Sequence, residues 1–234
     1  MIRSLPSLSI GAVMVLLVGC GHPPEQYTLP DQVTDFSALY GANCAGCHGQ
    51  DGRHGAARPL NDGLYLTFIG NQKLREVIAN GVPNTNMPPF AQDAGGNLTE
   101  QQISALSDEM QRRWARTREF ADITLPPYAA KLGDVKQGEL AFRQYCASCH
   151  GADGTGSPGR NGGSAVDPAY LALVSNQSLR TTVIAGRSDE DIPDWRSYVP
   201  DQAMKPQEIS DVVAWLAAHR TFPGNRAKGE TTVP

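Results

Sequence analysis

Two short segments of this 234-residue chain carry side chains spaced for chemistry: Cys44-Ala45-Gly46-Cys47-His48 and, 102 residues later, Cys146-Ala147-Ser148-Cys149-His150. In each, two thiols lie one helical turn apart and an imidazole follows directly. Cys-x-x-Cys-His is the attachment signature of c-type haem: the thiols become thioethers on the porphyrin vinyl groups, and the histidine reaches the iron as proximal ligand. Two other chemistries use paired cysteines. A thioredoxin-like redox pair expects a βαβ setting, which the surrounding pattern lacks. A zinc site pooling all four thiols would have to join the two segments and has no need of the histidines. The expectation is two haem c groups per chain, attached at Cys44, Cys47, Cys146 and Cys149, with His48 and His150 on the irons. The fifth cysteine, Cys20, ends an apolar run, so no thiol is left over for a disulfide.

The elements that must position these residues come in duplicate. Asp51-Gly52 matches Asp153-Gly154, and Tyr65 to Phe90 aligns without gaps to Tyr170 to Trp195; Gln102-Ile103-Ser104 then matches Glu208-Ile209-Ser210. Self-similarity of this extent marks tandem copies of one unit, each roughly 85 to 90 residues long. Each copy reads as a helix running into the cysteine motif, a Gly-rich loop, a middle helix, a loop holding Pro88 or Pro193, and a final helix. Thr99 and Gln102 predict a capping box at the start of the first copy's last helix, with Leu98 and Ile103 as its hydrophobic staple. Pro206 suits the first position of the corresponding helix in the second copy. Units this small bury too little apolar surface alone, and a cofactor would complete each core, so the two copies are expected to own separate cores. The fold class is all-α.

These modules resemble class I cytochrome c domains, over about residues 33 to 222. The resemblance rests on the paired attachment motifs and on three helices in the expected order. It implies a methionine, followed by proline, on the distal side of the iron in the loop before the last helix. Met87-Pro88-Pro89-Phe90 fits, making Met87 the sixth ligand of the first haem and, through its soft sulfur, favouring the ferrous state. The second copy departs from this pattern: Ile192 stands opposite Met87, and isoleucine cannot ligate iron. Met204 lies twelve residues further on, opposite Leu98. It is either the ligand of the second haem or the staple residue of the last helix, in which case the site is open or differently filled.

The N-terminus reads as an export signal, with Arg3 followed by an uncharged stretch from Ile10 to Val18, shorter than the roughly 20 apolar residues of a spanning helix. Leu17-Val18-Gly19-Cys20 resembles the bacterial lipobox, which implies diacylation at Cys20 and a lipid anchor on the periplasmic side of a bacterial membrane. Inner and outer membrane both remain open. The expected organisation is a signal peptide over 1–19, a lipidated tether over 20–32, domain 1 over 33–119, a linker over 120–134, domain 2 over 135–222 and a tail over 223–234.

The chain has 20 Lys and Arg against 24 Asp and Glu, a net charge of −4, which argues against nucleic acid as a partner. Arg112, Arg113, Arg116 and Arg118 cluster and read first as a solvated face, second as a contact for haem propionates or an acidic partner. The functional expectation is a membrane-anchored dihaem electron carrier between a quinol-oxidising complex and a terminal acceptor such as an oxidase, free or docked as a subunit. The alternative is a haem enzyme, or a subunit of one, with an open distal position at haem 2.

Overall fold

The computed structural model describes residues 28–83, 85–157 and 162–220. The signal, Cys20, most of the tether, the last two residues of the expected second domain and the whole tail lie outside them. Among the described residues the chain is helical, with isolated bridges and no strands.

In the first copy, α1 (Phe36–Asn43) is capped by the Asp35 carboxylate, which accepts from the Ala38 N–H at 2.8 Å. It runs into α2 (Ala45–His48), the single turn of the cysteine motif. The middle element α3 (Gly63–Asn80) is kinked at Gly70, whose φ of 68° lies outside the helical region. The last helix, α4 (Glu100–Trp114), opens with the expected capping box: Gln102 N–H donates to Thr99 Oγ1, and Thr99 N–H donates back to Gln102 Oε1 at 3.0 Å.

The second copy repeats the order with α5 (Val135–Tyr145), α6 (Ala147–His150), α7 (Pro168–Leu173), α8 (Asn176–Ala185) and α9 (Pro206–Ala218). The expected single middle helix is here two separate helices. The break falls at Val174 and Ser175, opposite the Gly70 kink, and Ser175 caps α8 by accepting from the Ser178 N–H. Lysine at the cap of α9 cannot accept a hydrogen bond. Only the return half of a capping box forms, with Lys205 N–H donating to Glu208 Oε2 at 2.7 Å.

First and last helices cross on aromatic side chains in both copies. Trp114 meets Tyr40 edge-on with ring centres 5.5 Å apart, and Trp215 lies 4.3 Å from Phe142. Contrary to the expectation of separate cores, the buried apolar side chains of the two copies form one continuous cluster. The linker helps to join them: the Tyr128 ring lies 5.5 Å from Phe68 of α3, while its carbonyl accepts from Gln177 of α8 at 3.0 Å. Arg180 of α8 is fully buried and grips the same segment, its guanidinium donating to the carbonyls of Pro127 and Tyr128 and to Ser210 Oγ. At the far end of the linker, Asp211 of α9 accepts from the Asp134 N–H at 2.8 Å.

Candidate cofactor sites

The cysteine motif sits where the first helix of each copy is broken and restarted. Cys44 caps the end of α1, and its carbonyl accepts from the N–H groups of Cys47 and His48 at 3.2 and 2.9 Å. That turn places both thiols and the imidazole on one face, since residues three and four apart are neighbours on a helix. Cys146, Cys149 and His150 repeat the arrangement, with carbonyl contacts of 3.1 and 3.0 Å. Cys47 and Cys149 are exposed, Cys44 and Cys146 half-buried, and all four are free thiols.

The histidines are held alike. His48 Nδ1 donates to the Arg58 carbonyl at 2.7 Å, and His150 Nδ1 donates to the Gly163 carbonyl at 2.7 Å. A carbonyl can only accept, so Nδ1 carries the proton and Nε2 keeps a free lone pair. This is the anchoring expected of an imidazole that ligates a metal through its other nitrogen. Burial lowers the His48 pKa, the Arg58 carbonyl opposing it, which keeps the ring neutral and able to donate that lone pair.

The competing thiol chemistries fare worse. Burial, and secondarily the neighbouring Cys47, pushes the Cys44 thiol up to about 12; burial and Cys149 do the same to Cys146. Redox-active pairs need the opposite, a thiol pKa lowered toward neutrality. Among the described residues no group of three or more His, Cys, Asp or Glu side chains converges as a metal site, so the four cysteines are not pooled. Two alkylatable thiols and one pre-oriented imidazole on a single turn fit a covalently attached haem.

The distal loops hang on matched backbone frames. After α3, Gly81 takes a left-handed φ of 68°, and Val82 N–H donates to the Met87 carbonyl at 3.1 Å. After α8, Gly186 takes a φ of 69°, and Arg187 N–H donates to the Ile192 carbonyl at 2.9 Å. A Cβ on Gly81 would stand 2.6 Å from the Met87 carbonyl oxygen, and one on Gly186 2.4 Å from that of Ile192. Glycine is thus required for close approach as well as for φ. Ile192 therefore holds the structural place of Met87, as the ungapped alignment expects.

Met204 is equally well placed by its neighbours. Its N–H donates to the Trp195 carbonyl at 2.9 Å, as Leu98 N–H does to Phe90 at 2.8 Å, and the two side chains are 2% and 3% exposed. Met204 lies in the buried cluster at the mouth of α9. The basic cluster at the end of α4 and just beyond it is largely paired: Arg112 and Arg113 both reach Glu109, and Arg116, after the helix, reaches Glu119.

Sequence reasoning missed Arg58 and Gly163 as the partners of the histidines. Their place ten and thirteen residues beyond His48 and His150 sits in loops of unequal length, and a backbone acceptor leaves no residue-type signal.

Helices in this order, twice, around two Cys-x-x-Cys-His turns define tandem cytochrome c domains, and cytochrome c domains carry covalently bound haem c. The model of the family described as cytochrome c oxidase, cbb3-type, subunit III matches residues 31–108 and 133–216. The chain belongs to this family of electron-transfer cytochromes. Similar proteins include the cbb3-type cytochrome c oxidase subunit FixP of Rhizobium meliloti, 27% identical over 77% of this chain and 62% of that one. FixP of Sinorhizobium medicae is 31% identical over 66% and 53% respectively. The chain thus spans only half to three-fifths of the length of these relatives. Among solved structures, a chain of the Kuenenia stuttgartiensis reducing HAO-like protein complex is 18% identical, with a TM-score of 0.44 over 83% of this chain and all of that one.

Proposed function

We propose that this protein is a membrane-tethered dihaem cytochrome that relays single electrons between a quinol-oxidising complex and a terminal acceptor such as an oxidase, on the periplasmic side of a bacterial membrane. Two haems, when bound, supply one-electron exchange at an iron whose potential the surrounding residues set. Cys44 and Cys47 attach the first and Cys146 and Cys149 the second. His48 and His150 present Nε2 to the irons, and Met87 presents its thioether to the first. Domain 1 is residues 33–119 and domain 2 residues 135–222, joined by the linker that Arg180 and Gln177 hold against α8.

The single observation that carries this reading is the identical anchoring of His48 and His150 inside two cysteine turns. That relatives are named as oxidase subunits supports the acceptor side. Among the described residues no helix is long and apolar enough to cross a membrane. Anchoring in this reading rests on lipid at Cys20, since two acyl chains hold a protein stably where one does not. A second reading concerns the second site alone. With Ile192 in the place of Met87 and Met204 packed like Leu98, the sixth position at site 2 is exchangeable, open to a small ligand.

Haem counting by pyridine haemochrome tests the proposal, together with peptide mass mapping of the four cysteines. Two haems per chain, with adducts on both cysteine pairs, are expected; one haem contradicts it. Cys20→Ser should release a soluble protein that keeps both haems, and an unmodified Cys20 in the wild type contradicts the anchor.

A further inference from the structure

Arg58 joins the two sites. Its carbonyl accepts the proton of His48 Nδ1 at 2.7 Å, fixing the proximal ring of site 1. Its guanidinium crosses into the second copy, 128 positions away in sequence, donating to the Gly186 carbonyl at 3.0 Å and, from the other amino nitrogen, to Thr182 Oγ1 at 2.9 Å. Those two acceptors form the C-terminal turn of α8, where Gly186 N–H closes onto the Thr182 carbonyl at 2.9 Å. A cation there satisfies a terminal carbonyl and complements the helix dipole. Gly186 in turn is the pivot against which the Ile192 and Pro193 carbonyls of the distal loop of site 2 are packed. The Tyr65 ring lies 5.2 Å beneath the guanidinium and steadies it from the first copy. The counterpart contact in the second copy is made by Gly163, which has no side chain to reach back.

The charge of Arg58 therefore sits at the boundary between the copies, hydrogen-bonded to a carbonyl and a hydroxyl. Asp62 and Asp189 offset it, and Arg187 adds to it, only through longer-range interaction. A half-buried cation beside the distal loop disfavours the ferric state at site 2, because oxidation adds a further positive charge. We propose that Arg58 is a positioning residue that couples the two haem sites, orienting His48 at site 1 through its carbonyl while fixing the distal loop and raising the potential of site 2 through its guanidinium. This rests on the reading that both cysteine turns carry haem.

The test is a redox titration, followed optically, of the full chain in five forms: the wild type, three single variants and the Arg58→Met/Thr182→Val double variant. Arg58→Met keeps the carbonyl and the aliphatic bulk but removes the charge. It is expected to lower the ferrous-to-ferric ratio of the second haem at least about threefold at fixed ambient potential. Thr182→Val, made in the other copy, removes one acceptor and is expected to shift the second haem in the same direction by less. It should also move the paramagnetically shifted NMR signals of the His48 ring, and in the double variant its effect should not add to that of Arg58→Met, since the contact it cuts is one of the two that Arg58→Met removes. Arg53→Gln, in the same loop but donating to the Asn61 carbonyl within the first copy, is expected to leave the second haem unchanged. A haem count below two in the wild type overturns the underlying reading. Two haems with an unmoved second potential in both Arg58→Met and Thr182→Val overturn the coupling, even if melting temperature falls. If Arg58→Met does not fold, Thr182→Val alone decides.

Discussion

Ile192 occupies in the second copy the place that Met87 occupies in the first, each with its carbonyl tied to the residue after a left-handed glycine, at 2.9 and 3.1 Å. The backbone frame is shared and the side chain differs, so Ile192→Met should install a thioether without rebuilding the loop. The expected result is a gain of the sulfur-to-iron charge-transfer band at site 2 and a rise of its potential toward that of site 1. Optical titration of the variant checks both, and an unchanged second potential would show that the frame does not aim residue 192 at the iron.

Met204→Leu is expected to be spectroscopically silent. The side chain is 2% exposed in the place of Leu98, and a volume-conserving exchange in a core costs under about 1.5 kcal/mol. Denaturant melts and oxidised spectra of the variant report on packing and ligation separately. A second haem that turns high-spin on this change would make Met204 its ligand.

Gly81→Ala should loosen the distal loop of site 1. The new Cβ would meet the Met87 carbonyl at 2.6 Å with φ held at 68°, a strain of at least about 1 kcal/mol. The accompanying sign is a weakened thioether band from Met87, read in the same sample, with site 2 unaffected.

Several of these features were readable from sequence because they are local. The cysteine turns, the Thr99–Gln102 box and the equivalence of Ile192 with Met87 depend on residues within a few positions or on ungapped repetition. The tryptophan equivalence was not. Trp114 and Trp215 both project onto a loop glycine, their ring tips 3.0 and 3.1 Å from a Cβ built on Gly52 and Gly154, yet the alignment of the last helices pairs neither with the other. Register on a helix face, and not sequence offset, decides which ring reaches the crossing. The division of the middle helix in the second copy turned on Ser175 acting as a cap where Gly70 acts as a kink, and both residue types are common in loops. Arg180 was legible only as the repeat partner of Arg75; its role was not, because it grips backbone carbonyls of a linker 52 and 53 positions distant.

Arg180→Met tests how firmly that linker is held. The substitution removes the guanidinium's hydrogen bonds to the Pro127 carbonyl and Ser210 Oγ while keeping most of the buried volume, Tyr128 retaining its bond from Gln177, and a hydrogen bond from a charged group contributes about 1.5–3 kcal/mol. Thermal melts should show a loss of that order. Because the linker also carries Tyr128 against Phe68, both copies should be destabilised together and not the second alone.

The most direct test of the account is a spectroelectrochemical titration of the wild-type chain. Two one-electron steps are predicted, of which one carries the thioether band of a His48–Met87 iron and the other, at His150, lacks it and responds to added carbon monoxide. Two superimposed steps with equal His–Met spectra, or a single haem in total, would contradict the account.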